Sequence, residues 1–185
     1  MYAISLGDDA ELRPLEPWRA REFLEHIDRG REYIGRYVGM PDLVTDLASS
    51  RAYLQRHADK TAADTGRICG IWLDDKLVGG VMLPNLDTDQ GTAEAGCWLE
   101  PSAAGRGLVT RAVRLLIDWA IEERGVHRVE WHVASKNAAS IAVARRLGMS
   151  RDGVLRENHP YRGRRQDTEV WSVLAPEWRA ARAES

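Results

Sequence analysis

The sequence predicts a mixed β-sheet covered by helices. Three observations carry this. Short segments rich in Ile, Val, Leu and Trp follow one another between residues 67 and 100, with only brief polar turns between them. A strongly periodic amphipathic run begins at Leu108, directly after the last of these segments. Beyond it, strands and a helix continue to interleave rather than segregate. At 185 residues the chain is long enough for one well-buried domain, residues 1–185, and short for two.

Taken in order, "ELRPLEP" reads as a short first strand confined by Pro14 and Pro17. In "PWRAREFLEHIDRGREYIGRYV", Trp18, Phe23, Leu24 and Ile27 lie roughly on one helical face. Gly30 interrupts the pattern, which predicts two short helices. Thr45 or Asp46 caps a further helix over 47–57. "RICGIWLDD" and "LVGGVMLPN" form a hairpin about Asp74-Asp75-Lys76, and "TAEAGCWLE" is the next strand after a turn at 87–91. Leu108, Ala112, Val113, Leu116, Trp119 and Ala120 recur at helical spacing, and Gly125 stops that helix. "HRVEWHVA" alternates as a strand does. "NAASIAVARRLG" is a second amphipathic helix, with Asn137 near its start and Gly148 at its end. "SRDGVLREN" and "DTEVWSVL" are the last strands, joined by the polar loop "HPYRGRRQ".

The net charge of −2 argues against a nucleic-acid-binding surface. The charge is unevenly placed: residues 1–100 carry a net −7 and residues 101–185 a net +5, so an anionic ligand is better received by the second half. Cys69 and Cys97 have no CxxC spacing and read as reduced core thiols. The first residues lack a basic region followed by a long apolar stretch, and no apolar run approaches membrane-spanning length. A cytoplasmic protein without membrane association is the expectation. His26, His57, His127 and His132 show no ligand spacing, so no metal is expected. The seven tryptophans read mainly as core or interface residues.

The stretch "AAGRGLVTRAVRLLIDWA" places Gly105-Arg106-Gly107 between a strand and the best helix of the chain. The first N–H groups of a helix lack internal partners and sit at the positive end of its dipole, and glycine lets a phosphate approach them closely. Arg106 adds a charge there. The pattern is neither GxGxxG nor GxxxxGK[ST], and by itself it is as consistent with a plain turn as with a phosphate site.

With "TAEAGCWLE", "GVHRVEWHV" and "NAASIAVARRLGMSRDGVLRE" present in order, the chain resembles the GNAT superfamily of N-acetyltransferases, and within it the RimJ/RimL-like branch that acetylates N-terminal amines of ribosomal proteins. The likeness runs from "LRPLEPWRAREFLEHIDRGREYI" to "VWSVLAPEW". Ala104 stands where that branch often has Gln, Val109 fills the last small position of the signature, Met149 replaces a Phe, and His159 stands about where relatives carry a Glu. The resemblance implies a GNAT fold, a mixed central sheet with a splayed strand pair and helices on both faces. It implies that acetyl-CoA is bound by Trp98, Leu99, Ala104, Gly105, Arg106, Gly107, Leu108, Val109, Thr110, Asn137 and Ser140. The turn from Gly105 to Thr110 would grip the pyrophosphate, and pantetheine would lie where the strand Ala95 to Leu99 parts from "HRVEWHVA".

Two residues are expected to carry chemistry. Ser140 would donate to the departing sulfur; the alternative is that Asn137 or Ser140 merely caps a helix. Glu94 would act as base, alone or through water; the alternative is a structural salt bridge with an arginine. His159 is a second candidate base, or simply a loop histidine. The amine would attack the acetyl carbonyl directly, with the oxyanion held by strand N–H groups. The expected acceptor is a protein N-terminal α-amine. Rival readings are an acetyltransferase of small amines (polyamine, aminoglycoside or amino-acid analogue), which suits the acidic first half, and a non-catalytic acyl-CoA-binding module. A homodimer is compatible with the resemblance, and no motif demonstrates one.

Overall fold

A computed structural model describes residues 3–183. Its eight-stranded sheet has the order β1-β2-β3-β4-β5-β6-β8-β7. The strands are β1 Ile4–Gly7, β2 Ala10–Pro14, β3 Arg67–Leu73, β4 Lys76–Asp87, β5 Thr92–Leu99, β6 Arg128–Ala134, β7 Ser150–Tyr161 and β8 Arg164–Leu174. The β5–β6 pair is parallel and the others are antiparallel. The helices are α1 Ala20–Ile34, α2 Met40–Leu43, α3 Leu47–Ala62, α4 Leu108–Arg124, α5 Ala138–Arg146 and α6 Ala175–Ala183. None of them is long and apolar enough to cross a membrane.

Two cores sandwich the sheet. Leu108, Ala112, Val113, Leu116, Ile117 and Ala120 of α4 pack with Ile141 and Ala144 of α5 and Trp178 of α6 against one face. Phe23 and Ile27 of α1 and Tyr53 and Leu54 of α3 pack with Ile68, Trp72, Leu77 and Trp98 on the other. That second core draws no residue from β6, β7 or β8.

Several expectations need correction. "ELRPLEP" is preceded by another strand: β1 and β2 form a hairpin through Asp8 and Asp9, both with positive φ. Asp tolerates that conformation, as Asp74 and Asp75 do in the β3–β4 turn. Gly30 does not break α1. It is buried, and a Cβ there would lie 2.7 Å from Cδ1 of Ile34, one turn on in the same helix, so glycine leaves room for that side chain. Trp18 sits in the turn Pro17–Arg19 before α1 and is 76% exposed, not on its apolar face. Asp46 is the cap of α3, accepting from Ser49 N–H at 2.7 Å, and the helix runs to Ala62. The "HPYRGRRQ" loop is mostly strand, since β7 and β8 pair to Tyr161↔Arg164 and turn at Arg162-Gly163. Helix α6 lies beyond the last element expected.

Candidate active site

The strand β5 ends at Leu99 and leads through Glu100 and the turn Pro101–Ala103 to Ala104, whose backbone is extended. Gly105 and Gly107 then take φ of +80° and +71°. Side chains other than glycine rarely adopt this left-handed region, which explains both glycines at the mouth of α4. Gly107 is the N-cap of α4 and no side chain caps it. The first helical bond runs from Arg111 N–H to Gly107 C=O at 3.1 Å. The N–H groups of Gly107, Leu108, Val109 and Thr110 therefore have no partner within the helix, at the positive end of its dipole.

Beside this turn the sheet opens. Parallel pairing of β5 with β6 covers Thr92↔Arg128, Ala93↔Val129 and Glu94↔Glu130, and then stops. Beyond it β5 stays with β4 and β6 stays with β8. A cleft of about 920 Å³ fills the gap and passes between the two faces of the sheet. On the α4 face it is lined by Ala104, Gly105, Gly107, Leu108, Val109, Thr110, Asn137 and Ser140. On the α1 face it reaches Tyr37, Met82, Glu94 and His132. The Glu100 N–H bonds to Val78 C=O at 2.8 Å, so by antiparallel alternation the backbone groups of Leu99 and Cys97 point away from β4, into the gap. The cleft is also lined by Cys97, but its thiol packs against the core and burial pushes it up to about 12. Burial thus favours the neutral thiol there.

Most of the residues expected at the site share this cleft. The Asn137 side chain accepts from Ser140 N–H at 3.2 Å, capping α5. Its cap role and its place in the cleft coexist. The Ser140 hydroxyl accepts a 2.9 Å bond from Trp131 Nε1, leaving its own proton free to donate. The Glu94 carboxylate accepts from Asn85 Nδ2 at 2.8 Å rather than pairing with an arginine. Trp98 borders the cleft but its indole is 4% exposed and donates to His26 Nε2 at 2.9 Å. Its side chain belongs to the second core. Arg106 is exposed and lies outside the lining, where Arg111 and Arg146 stand instead. His159 is likewise away from the cleft, on β7, stacked on Tyr161 at 5.7 Å.

Two polar groupings escape a reading for metal spacing alone. The first is buried: His26 Nδ1 lies 2.6 Å from Glu100 Oε1, and Arg29 also bonds that carboxylate. Trp98 can only donate, so His26 Nε2 accepts and Nδ1 carries the proton. Burial pushes the His26 imidazole below its usual range, against the pull of Glu100, and keeps it neutral. The second is on β6, where His132 Nε2 lies 2.8 Å from Glu130 Oε2. The alternation of "RVEWHV" already puts Arg128, Glu130 and His132 on one face, and that was the signal available. Among the described residues no group of three His, Cys, Asp or Glu side chains could hold a metal ion.

Comparison with known proteins agrees with this geometry. The family model for the acetyltransferase (GNAT) domain matches residues 10–150. YdaF of Bacillus subtilis (strain 168), a proposed ribosomal N-acetyltransferase, is 29% identical over 179 residues, 96% of this chain and 98% of its own. The ribosomal-protein-serine acetyltransferase of Escherichia coli (strain K12) is 21% identical over 154 residues, 83% of this chain and 86% of its own. In fold, the chain matches the ribosomal L7/L12 α-N-protein acetyltransferase RimL in complex with coenzyme A, with a TM-score of 0.87 at 18% identity over 93% of this chain and 97% of that one.

Proposed function

The chain belongs to the GNAT acetyltransferase family, and from that premise we propose that it moves the acetyl group of acetyl-CoA to the N-terminal α-amine of a ribosomal protein. One observation carries the reading: a helix start with unpartnered N–H groups opens onto a gap that runs through the sheet. A long anionic thioester suits such a site, with its pyrophosphate on the Gly105–Thr110 backbone and its pantetheine amides on the free edge of β5.

The acetyl carbon then lies in the gap, between the two faces. Leu99 or Cys97 N–H is aimed at the carbonyl oxygen as charge builds on it. Ser140, oriented by Trp131, donates its proton to the sulfur as the C–S bond breaks. Attack by the amine is direct, with no covalent enzyme intermediate. The acceptor arrives on the α1 face, where Glu94 favours an ammonium. An α-amine has a reference pKa of about 7.7–8.0 against about 10.4 for lysine, so less basicity is asked of the site. The test is release of coenzyme A thiol with peptides copying ribosomal-protein N-termini. Turnover lost when the α-amine is blocked supports the reading; turnover that survives the block rules it out.

A further inference from the structure

The β6 strand carries consecutive side chains to opposite faces of the open sheet. Trp131 goes to the α4 face and holds Ser140. His132 goes to the α1 face and lines the cleft two residues past Glu130, where β5 no longer pairs. Its imidazole is 36% exposed and its Nε2 lies 2.8 Å from Glu130 Oε2. The Glu130 carboxylate is fixed in turn by Arg128 Nε at 2.8 Å, and Arg128 Nη1 bonds Ser172 at 2.9 Å. Burial resists ionisation of Glu130, but the hydrogen bonds from Arg128 and His132 outweigh it and hold the carboxyl below its ordinary range. An ionised carboxylate only accepts, so His132 Nε2 is the donor, and in the neutral imidazole Nδ1 carries the lone pair. Glu94 sits beside Glu130 in the parallel register, on the same face, and lines the same cleft as His132.

We propose that His132, oriented by Glu130, takes the proton from the acceptor's ammonium group, and that Glu94 holds that ammonium in place. The proposal rests on the acetyl-transfer reading above. One ammonium proton passes to His132 Nδ1, giving the free amine. The C–N bond forms, the C–S bond breaks, and the second proton lost by nitrogen replaces the one Ser140 gives to sulfur. His132 returns its proton to solvent, so one proton is released per turnover. The charged and titratable groups around the imidazole are Glu94 from β5, Arg128 and Glu130 from β6 and Asp152 from β7, with Arg36, Tyr33, Tyr37 and Lys136 at the rim of the cleft. From β8 the neighbours are Val170 and the hydroxyl residues Thr168 and Ser172.

The test uses the fastest acceptor from a panel of α-amine peptides and small amines. His132→Gln is expected to lower kcat/KM on the order of a hundredfold, remove the acid limb of its pH profile, and keep acetyl-CoA affinity within a few-fold. Imidazole in solution should restore part of the activity of His132→Ala. Glu130→Gln should lose about tenfold, because the imidazole loses the carboxylate that orients it. Glu94→Gln should mainly raise the acceptor KM. A His132→Gln enzyme with wild-type kcat/KM and an unchanged acid limb overturns the proposal. The acceptor reading fails separately, if a small amine is the fastest in the panel.

Discussion

The two faces of the sheet are built differently. On the α4 face one core draws side chains from β1 through β6 and from β8. On the α1 face the core stops at β5 and leaves Arg128, Glu130 and His132 in a polar network open to solvent. The glycine turn and Ser140 are set on the fully packed side, where backbone and helix ends are rigid. The α1 side, where we propose the acceptor binds, is half packed core and half water-facing charge. Coenzyme binding by fixed backbone dipoles needs the first kind of surface. A proton-transfer site that meets a variable peptide needs the second.

This contrast makes predictions of decreasing size. Ser140→Ala should lower turnover by roughly tenfold to a thousandfold while acetyl-CoA affinity stays within a few-fold. Single-turnover kinetics with calorimetry checks it, and a lower melting temperature at unchanged turnover would reduce Ser140 to a packing role. The packed part of the α1 face should show acid sensitivity. Burial lowers the His57 imidazole to about 4 and lowers His26 as well. The unfolded chain then binds more protons below about pH 6.5, so stability is full above that and falls as pH drops toward 4. His57 alone accounts for about 2 kcal/mol between pH 7 and 5. His57 Nδ1 is buried without a partner, so His57→Phe should lessen the fall of melting temperature across that range, leaving the part due to His26.

Gly107→Val should weaken acetyl-CoA binding by about tenfold or more, because a β-branched residue at a left-handed φ costs about 1–2 kcal/mol and crowds the approach to the N–H groups. Affinity unchanged by calorimetry in a folded variant would remove the pyrophosphate assignment. The smallest effect is at the cleft mouth. Tyr37 Oη donates to Lys136 C=O at 3.1 Å, joining the segment after α1 to the start of α5. Tyr37→Phe should raise the peptide KM by only a few-fold, the scale of one exposed hydrogen bond, and leave kcat unchanged.

How much could be read from the chain follows the same division. The glycine turn, α4 and the Asn137 cap are local: their signals fall within a turn or two of the residues they shape. The stopping of β5–β6 pairing followed from the family likeness, not from spacing. His26 lies 72 residues from Trp98 and 74 from Glu100 and meets them only after α1 packs on β5, and no local pattern announces the grouping. Propensity treats Gly30 as a breaker, whereas here it is buried inside α1 and leaves room for the Ile34 side chain. The pairing of His132 with Glu130 was within reach of simple alternation. Histidines screened for metal spacing only are easily passed over when they pair with a neighbouring carboxylate.

The central claim is that acetyl-CoA held on the α4 face meets an α-amine on the α1 face. Its most direct test is a peptide with a ribosomal-protein N-terminal sequence, a free α-amine and one internal lysine, incubated with enzyme and acetyl-CoA beside equimolar spermidine and mapped by fragment mass spectrometry. The account predicts a single acetyl group on the α-amine, formed faster than any acetylated polyamine. Acetylation of spermidine or the lysine ahead of the α-amine would contradict it, and would make the acidic first half of the chain the better guide to the acceptor.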